Sequence, residues 1–114
     1  MKLCEFYRNQ FFKAQNTAKH FEADSEYIMR ELGYEKGSFV WFKLMAERYF
    51  GSGYEPEYVT AGITREQLDA AKSAGYVKHT YSQSWIALKT NTTDWWGLTN
   101  KGLKTLYETY NGKW

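Results

Sequence analysis

The sequence predicts an α+β fold, and three observations carry that expectation. Apolar residues recur at spacings of three and four through the first two thirds of the chain, which is the spacing of a helix face. After Gly75 the pattern changes to alternation, which is the spacing of strands, until Thr99 opens a final helical segment. At 114 residues, with 43% hydrophobic and 25% charged residues, the chain has the size and composition of one domain that can bury a core without metal or disulfide staples.

Residues 3–21 place Leu3, Tyr7, Phe11, Ala14, Ala18 and Phe21 on one helical stripe, although Phe6-Tyr7 and Phe11-Phe12 also suit a strand or an extended arm. A helix follows over about 25–32, capped by Asp24 or Ser25 and stopped by Gly33, with Tyr27, Ile28 and Leu32 facing inward. The third helix covers about 38–50. Ser38 is its cap, and Val40, Trp41, Leu44, Met45 and Phe50 leave it apolar on so many sides that it should be central. Glu55 to Gly62 reads as a connection with at most a short turn after Pro56. Thr64 and Gln67 then form a capping-box pattern for a helix running to about Ala74, where Gly75 ends it.

Tyr76–Thr80 and Ser84–Thr90 read as strands with Tyr81-Ser82-Gln83 between them; in the second, Trp85, Ala87 and Lys89 alternate with Ile86 and Leu88. Asn91-Thr92-Thr93-Asp94 has the composition of a turn, and Trp95–Leu98 that of a third short strand. The last helix, capped by Thr99, turns Leu103, Leu106, Tyr107 and Tyr110 inward. The expected core is Leu32, Val40, Leu44, Met45, Leu68, Ala71, Val77, Ile86 or Trp85, Leu98, Leu103 and Leu106.

Composition excludes several classes. One cysteine, Cys4, cannot staple a secreted framework and reads as a small buried hydrophobe or a chance surface thiol. No apolar run reaches the ~18–20 residues of a membrane span, and Met1–Gln10 lacks the apolar stretch of a signal peptide, so the expected location is cytoplasmic. No phosphate loop, zinc spacing or nucleophile–base pattern is present: Gly51-Ser52-Gly53 lacks the phosphate-binding spacing, and His20 and His79 stand alone. The expectation is a protein without catalytic residues, metal or cofactor.

Helix, connection, capped helix, Gly75-Tyr76-Val77 and hairpin come in the order of a winged helix-turn-helix. Gly75-Tyr76-Val77 resembles the step that ends a recognition helix and opens the wing, and Leu98-Thr99-Asn100-Lys101-Gly102-Leu103 resembles the Leu-Thr-x-Lys-Gly entry to the final helix of winged-helix regulators. Over residues 25–103, Leu32-Gly33-Tyr34-Glu35-Lys36-Gly37, the aromatic run Phe39–Phe50 and the capped segment Ile63–Val77 resemble the N-terminal winged-helix domains of phage and plasmid replication-initiation proteins. The resemblance implies one domain, with residues 1–22 as an extension and 24–111 as the winged-helix core. Its wing would have two or three antiparallel strands. It also implies a phage or mobile-element protein that acts on DNA in replication or transcription control, in the host cytoplasm.

On that reading Arg65 and Gln67 would reach guanine and adenine edges from the first turn of the recognition helix. Lys72 would hold phosphate, and Lys78, His79 and Lys89 on the wing would touch the backbone or minor groove. The competing expectations are local: Thr64–Gln67 is explained by capping, Arg65–Asp69 by a helical ion pair, and Glu66 and Asp69 repel phosphate. The net charge of +2 permits DNA binding without arguing for it. The rival function is inhibition or adaptation of a host protein complex through Tyr81, Trp95 and Trp96, residue types that dominate interface hot spots. Alternation allows only one of Trp95 and Trp96 to face inward, leaving the other as the sharper candidate. A homodimer fits either function, because DNA-binding helix-turn-helix proteins commonly use two half-sites.

Overall fold

The computed structural model describes residues 1–86 and 89–114, with the backbone alone at Ile86. Among these residues, the fold has six helices and one three-stranded antiparallel sheet. Helix α1 (Leu3–Thr17) buries Phe6, Tyr7, Phe11 and Ala14, so the first stripe is helical and not an extended arm. It stops where Ala18 turns extended, and α2 (Phe21–Glu31) begins four residues earlier than the capping argument suggested. Neither Asp24 nor Ser25 caps it. Ser25 is buried inside α2, where its hydroxyl accepts a 2.9 Å bond from the indole N–H of Trp41, and the hydroxyl of Tyr49 donates to Asp24. The inner stripe of α2 is therefore Phe21, Ser25 and Ile28, which turns Tyr27 and Leu32 outward.

Helix α3 (Phe39–Tyr49) is central as expected. Ser38 caps it, accepting from the amide of Trp41, and Trp41, Phe42, Met45 and Ala46 are buried. That face excludes Val40, which is exposed, and leaves Leu44 only partly buried. Phe11, Phe42, Phe50 and Trp114 meet one another largely edge-on or tilted, at ring separations of 4.6–6.3 Å. Part of the high aromatic content is spent here, because each buried ring removes ~150–250 Å² from water.

Strand β1 (Ser52–Tyr54) was not expected, and helix α4 (Glu55–Thr60) occupies the stretch read as a connection with a short turn, with Pro56 in its first turn, where a missing N–H costs nothing. Helix α5 (Arg65–Ser73) has the full capping box: the Thr64 hydroxyl accepts from the Gln67 amide at 3.1 Å, and the Gln67 side chain accepts from the Thr64 amide at 2.9 Å. Gly75, at φ 85°, ends the turn after α5 in the left-handed region.

Strands β2 (Val77–Ile86) and β3 (Lys89–Leu98) then form one ribbon of ten residues each, in the sheet order β1-β3-β2. This corrects two expectations. Tyr81-Ser82-Gln83 does not interrupt the first strand, and Asn91–Asp94 is no turn: the ladder is continuous from Val77↔Leu98 to Ile86↔Lys89. The polar composition of both stretches reflects a ribbon bare to solvent, not a reversal. Residues 87 and 88 lie outside the described residues, and with them the alternation expected of Ala87 and Leu88. Trp85, offered as core, is 76% exposed on the ribbon. At the base, Val77 and Trp96 are buried and Leu98 and Ala71 pack partly against them.

Helix α6 (Asn100–Thr109) is capped by Thr99, whose hydroxyl accepts from Gly102 and donates to the carbonyl of Gly75, and it buries Leu103 and Leu106. Gly102 is required there because a side chain would run into the Tyr76 carbonyl. The ribbon extends the molecule to 49 Å against 30 and 22 Å in the other directions.

Candidate nucleic-acid interface

The first turn of α5 faces the base of the ribbon, and the residues expected to read bases are occupied there. Arg65 donates to Glu55 at 2.8 Å and to Asp69 at 3.2 Å, and lies 4.0 Å from Asp94. Its guanidinium sits 5.0 Å from the centre of the Trp96 ring, whose indole N–H donates to the same Glu55 oxygen at 3.0 Å. Partial burial works against the charge on Arg65, but the bonds and charges of Asp69 and Glu55 outweigh it and hold its pKa above the usual value. His79 closes the group, 2.8 Å from Asp94 and tilted against the Trp96 ring at 4.5 Å.

Gln67 is equally committed. Its carbonyl completes the capping box, and its amide donates to the Met1 carbonyl at 2.9 Å, tying the start of the chain to α5. The first turn therefore presents three carboxylates around one arginine, with exposed Glu66 beside them. Such a surface repels phosphate.

The cations lie elsewhere. Lys72, Lys78 and Lys89 are all exposed. From Ala70 to Tyr107 the chain carries five lysines, Lys72, Lys78, Lys89, Lys101 and Lys104, against the single carboxylate Asp94, while the remainder carries twelve acidic and ten basic residues. The small net charge thus conceals a division of charge between α5–α6 and the rest, a signal present in the sequence and missed by reading only the total. Lys101 is partly spent, donating to the Ala74 carbonyl at 2.7 Å across the Tyr76 ring.

The pairing register sorts the ribbon into two faces. Lys78, Thr80, Ser82 and Ser84 share one with Trp95, Thr93, Asn91 and Lys89. Tyr81, Gln83 and Trp85 share the other with Asp94, Thr92 and Thr90, continuing the inward face of Val77, His79 and Trp96. Trp96 is thus the tryptophan that faces inward, 1% exposed, which withdraws it as an interface candidate. Trp95 is 37% exposed, lies tilted against Tyr54 at 5.5 Å and donates to Ser82 at 3.1 Å. Tyr81 is exposed, as the protein-binding reading required.

The structure brings Arg65, His79 and Trp96 together with Glu55 and Asp94, two residues that spacing alone did not single out. Lys72, Lys78 and Lys89 make no ion pair with this cluster among the described residues. Among the described residues, no group of three or more His, Cys, Asp or Glu is placed to hold a metal ion, and no helix is long and apolar enough to cross a membrane. Cys4 is partly buried against the core. No protein-family model matches the chain, and no curated protein matches it significantly.

Proposed function

We propose that the chain is a winged-helix protein that binds duplex DNA through the lysines of α5 and the ribbon, and not through the first turn of α5. The order helix, strand, helix, capped helix, ribbon, helix from α3 onward agrees with a winged helix, with α5 as the recognition helix and β2–β3 as the wing. The observation that carries the DNA reading is the segment from the second half of α5 through β2 into β3. It has no carboxylate between Ala70 and Thr93 and exposes Lys72, Lys78 and Lys89 among Ser, Thr, Asn and Gln side chains that can bond phosphate or groove edges. With Arg65 and Gln67 withdrawn, binding on this reading is led by phosphate contacts and has modest sequence preference. A role in replication or transcription control of a phage or mobile element is what the resemblance adds.

A second reading, regulation of a protein complex, is favoured by the exposure of Trp85 and Tyr81. Fluorescence anisotropy with a random duplex separates the two. Three lysine–phosphate contacts weaken binding about 40-fold between roughly 50 and 200 mM salt. Absence of binding at the lower salt would remove DNA as the partner and leave the aromatic surface.

A further inference from the structure

The sheet ends on one of its two long strands. In the order β1-β3-β2, the ten residues of β2 have β3 on one side and, among the described residues, nothing on the other. Beyond Trp95 the situation is sharper, because β1 covers β3 only at Trp95, Trp96 and Gly97. Tyr81–Ile86 and Lys89–Asp94 therefore form a two-stranded ribbon standing off the body, and such ribbons are marginal in water until a third strand or a packed face supports them.

The edge also lacks protection. Natural edge strands are blunted by proline, charges or bulges. Val77–Ile86 has no proline, no carboxylate and one lysine, and the β2–β3 register runs without a bulge. Its Val, Thr, Tyr and Trp residues favour extended pairing.

We propose that two copies of this chain join along β2, antiparallel and edge to edge, giving one sheet of order β1-β3-β2-β2-β3-β1. Charge permits a second copy and favours this direction for it. The only charged residue of β2 is Lys78, near one end, so antiparallel self-pairing sets it against the uncharged far end of its partner, whereas parallel in-register pairing would align the two lysines. A twofold axis normal to the sheet places residues of the same face opposite one another, so it passes through a residue at mid-strand, Tyr81 or Ser82. The contact uses backbone groups of the edge and leaves both faces of the ribbon open, so it stands or falls independently of DNA binding.

Sedimentation equilibrium without DNA, from about 5 to about 200 µM protein, tests association in the range expected of a small interface. The expected result is a monomer–dimer equilibrium that weakens about tenfold or more in Ser82→Lys/Ser84→Lys, which places like charges along the edge, with unchanged circular dichroism for that variant. In a Cys4→Ser background, single cysteines at Thr80, Tyr81, Ser82 and Gln83 locate the axis. Residues directly opposite lie ~4.5–5.5 Å apart between Cα atoms, within disulfide reach. Oxidation should cross-link Tyr81→Cys or Ser82→Cys several-fold faster than the others. A monomer at the highest concentration, a dimer indifferent to the lysine pair, or equal cross-linking at all four positions would each overturn the proposal.

Discussion

Replacing Arg65 by alanine is expected to destabilise the fold by about 1–2 kcal/mol while leaving DNA affinity within about threefold. The magnitude follows from the contacts. Two ion pairs, at 2.8 Å to Glu55 and 3.2 Å to Asp69, involve a side chain 47% exposed, so each contributes ~0.2–1 kcal/mol after screening, and the 4.0 Å approach to Asp94 adds little. The guanidinium over Trp96 adds ~0.5–1 kcal/mol. Removing Arg65 also leaves Glu55, Asp69 and Asp94 facing one another without a cation. In a domain of this length the loss corresponds to a fall in Tm of about 4–10 °C. Thermal unfolding of the wild type, Arg65→Ala, Glu55→Gln and the double variant, at low salt and at about 1 M salt, measures it. The coupling between Arg65 and Glu55 should shrink in the higher salt. An unchanged Tm together with a loss of DNA affinity beyond about tenfold would make Arg65 a base-reading residue and refute its assignment to the ion-pair cluster.

Other consequences are more local. Burial, with the charge of Glu57 adding, pushes the Tyr58 hydroxyl up to about 12 despite its bond to Tyr7. A raised folded pKa means this stability is intact below pH 10 and lost as pH climbs from about 10 to 12, by up to about 2–3 kcal/mol. Denaturant titrations across that range should show the loss, and Tyr58→Phe should reduce it. Gly102→Ala should cost more than about 3 kcal/mol in urea unfolding, because the new methyl meets the Tyr76 carbonyl and α6 can no longer seat. Thr64→Ala removes the capping box and should cost about 1 kcal/mol by the same assay. Trp85→Ala should leave Tm within about 1 °C, since its ring is bare, whereas Trp96→Ala should cost about 3–5 kcal/mol.

What the sequence made legible is what local chemistry decides. The Ser38, Thr64 and Thr99 caps and the Gly75 stop depend on residues within one turn, and all stand where their side chains indicate. The ribbon was misjudged because Asn91–Asp94 and Tyr81–Gln83 have turn composition, while their conformation is fixed by cross-strand pairing. Val40 in α3 and Leu32 at the end of α2 are apolar, yet both are exposed, because the inward stripes are those that carry Trp41 and its partner Ser25. The Arg65–Asp69 pair was visible as an i, i+4 spacing. Glu55 and Asp94 were not, because they reach Arg65 from α4 and β3 only once the ribbon is in register. Choosing between Trp95 and Trp96 likewise needed the sheet's orientation, which alternation alone leaves open.

The most direct test of DNA binding by the α5–ribbon surface compares the wild type with Lys72→Ala/Lys78→Ala/Lys89→Ala in salt-dependent anisotropy on one random duplex. The account predicts a slope of log affinity against log salt near −2.7 for the wild type that falls by about three contacts' worth, to nearly flat, in the variant. The same slope in both proteins, or no salt dependence in the wild type, would contradict it.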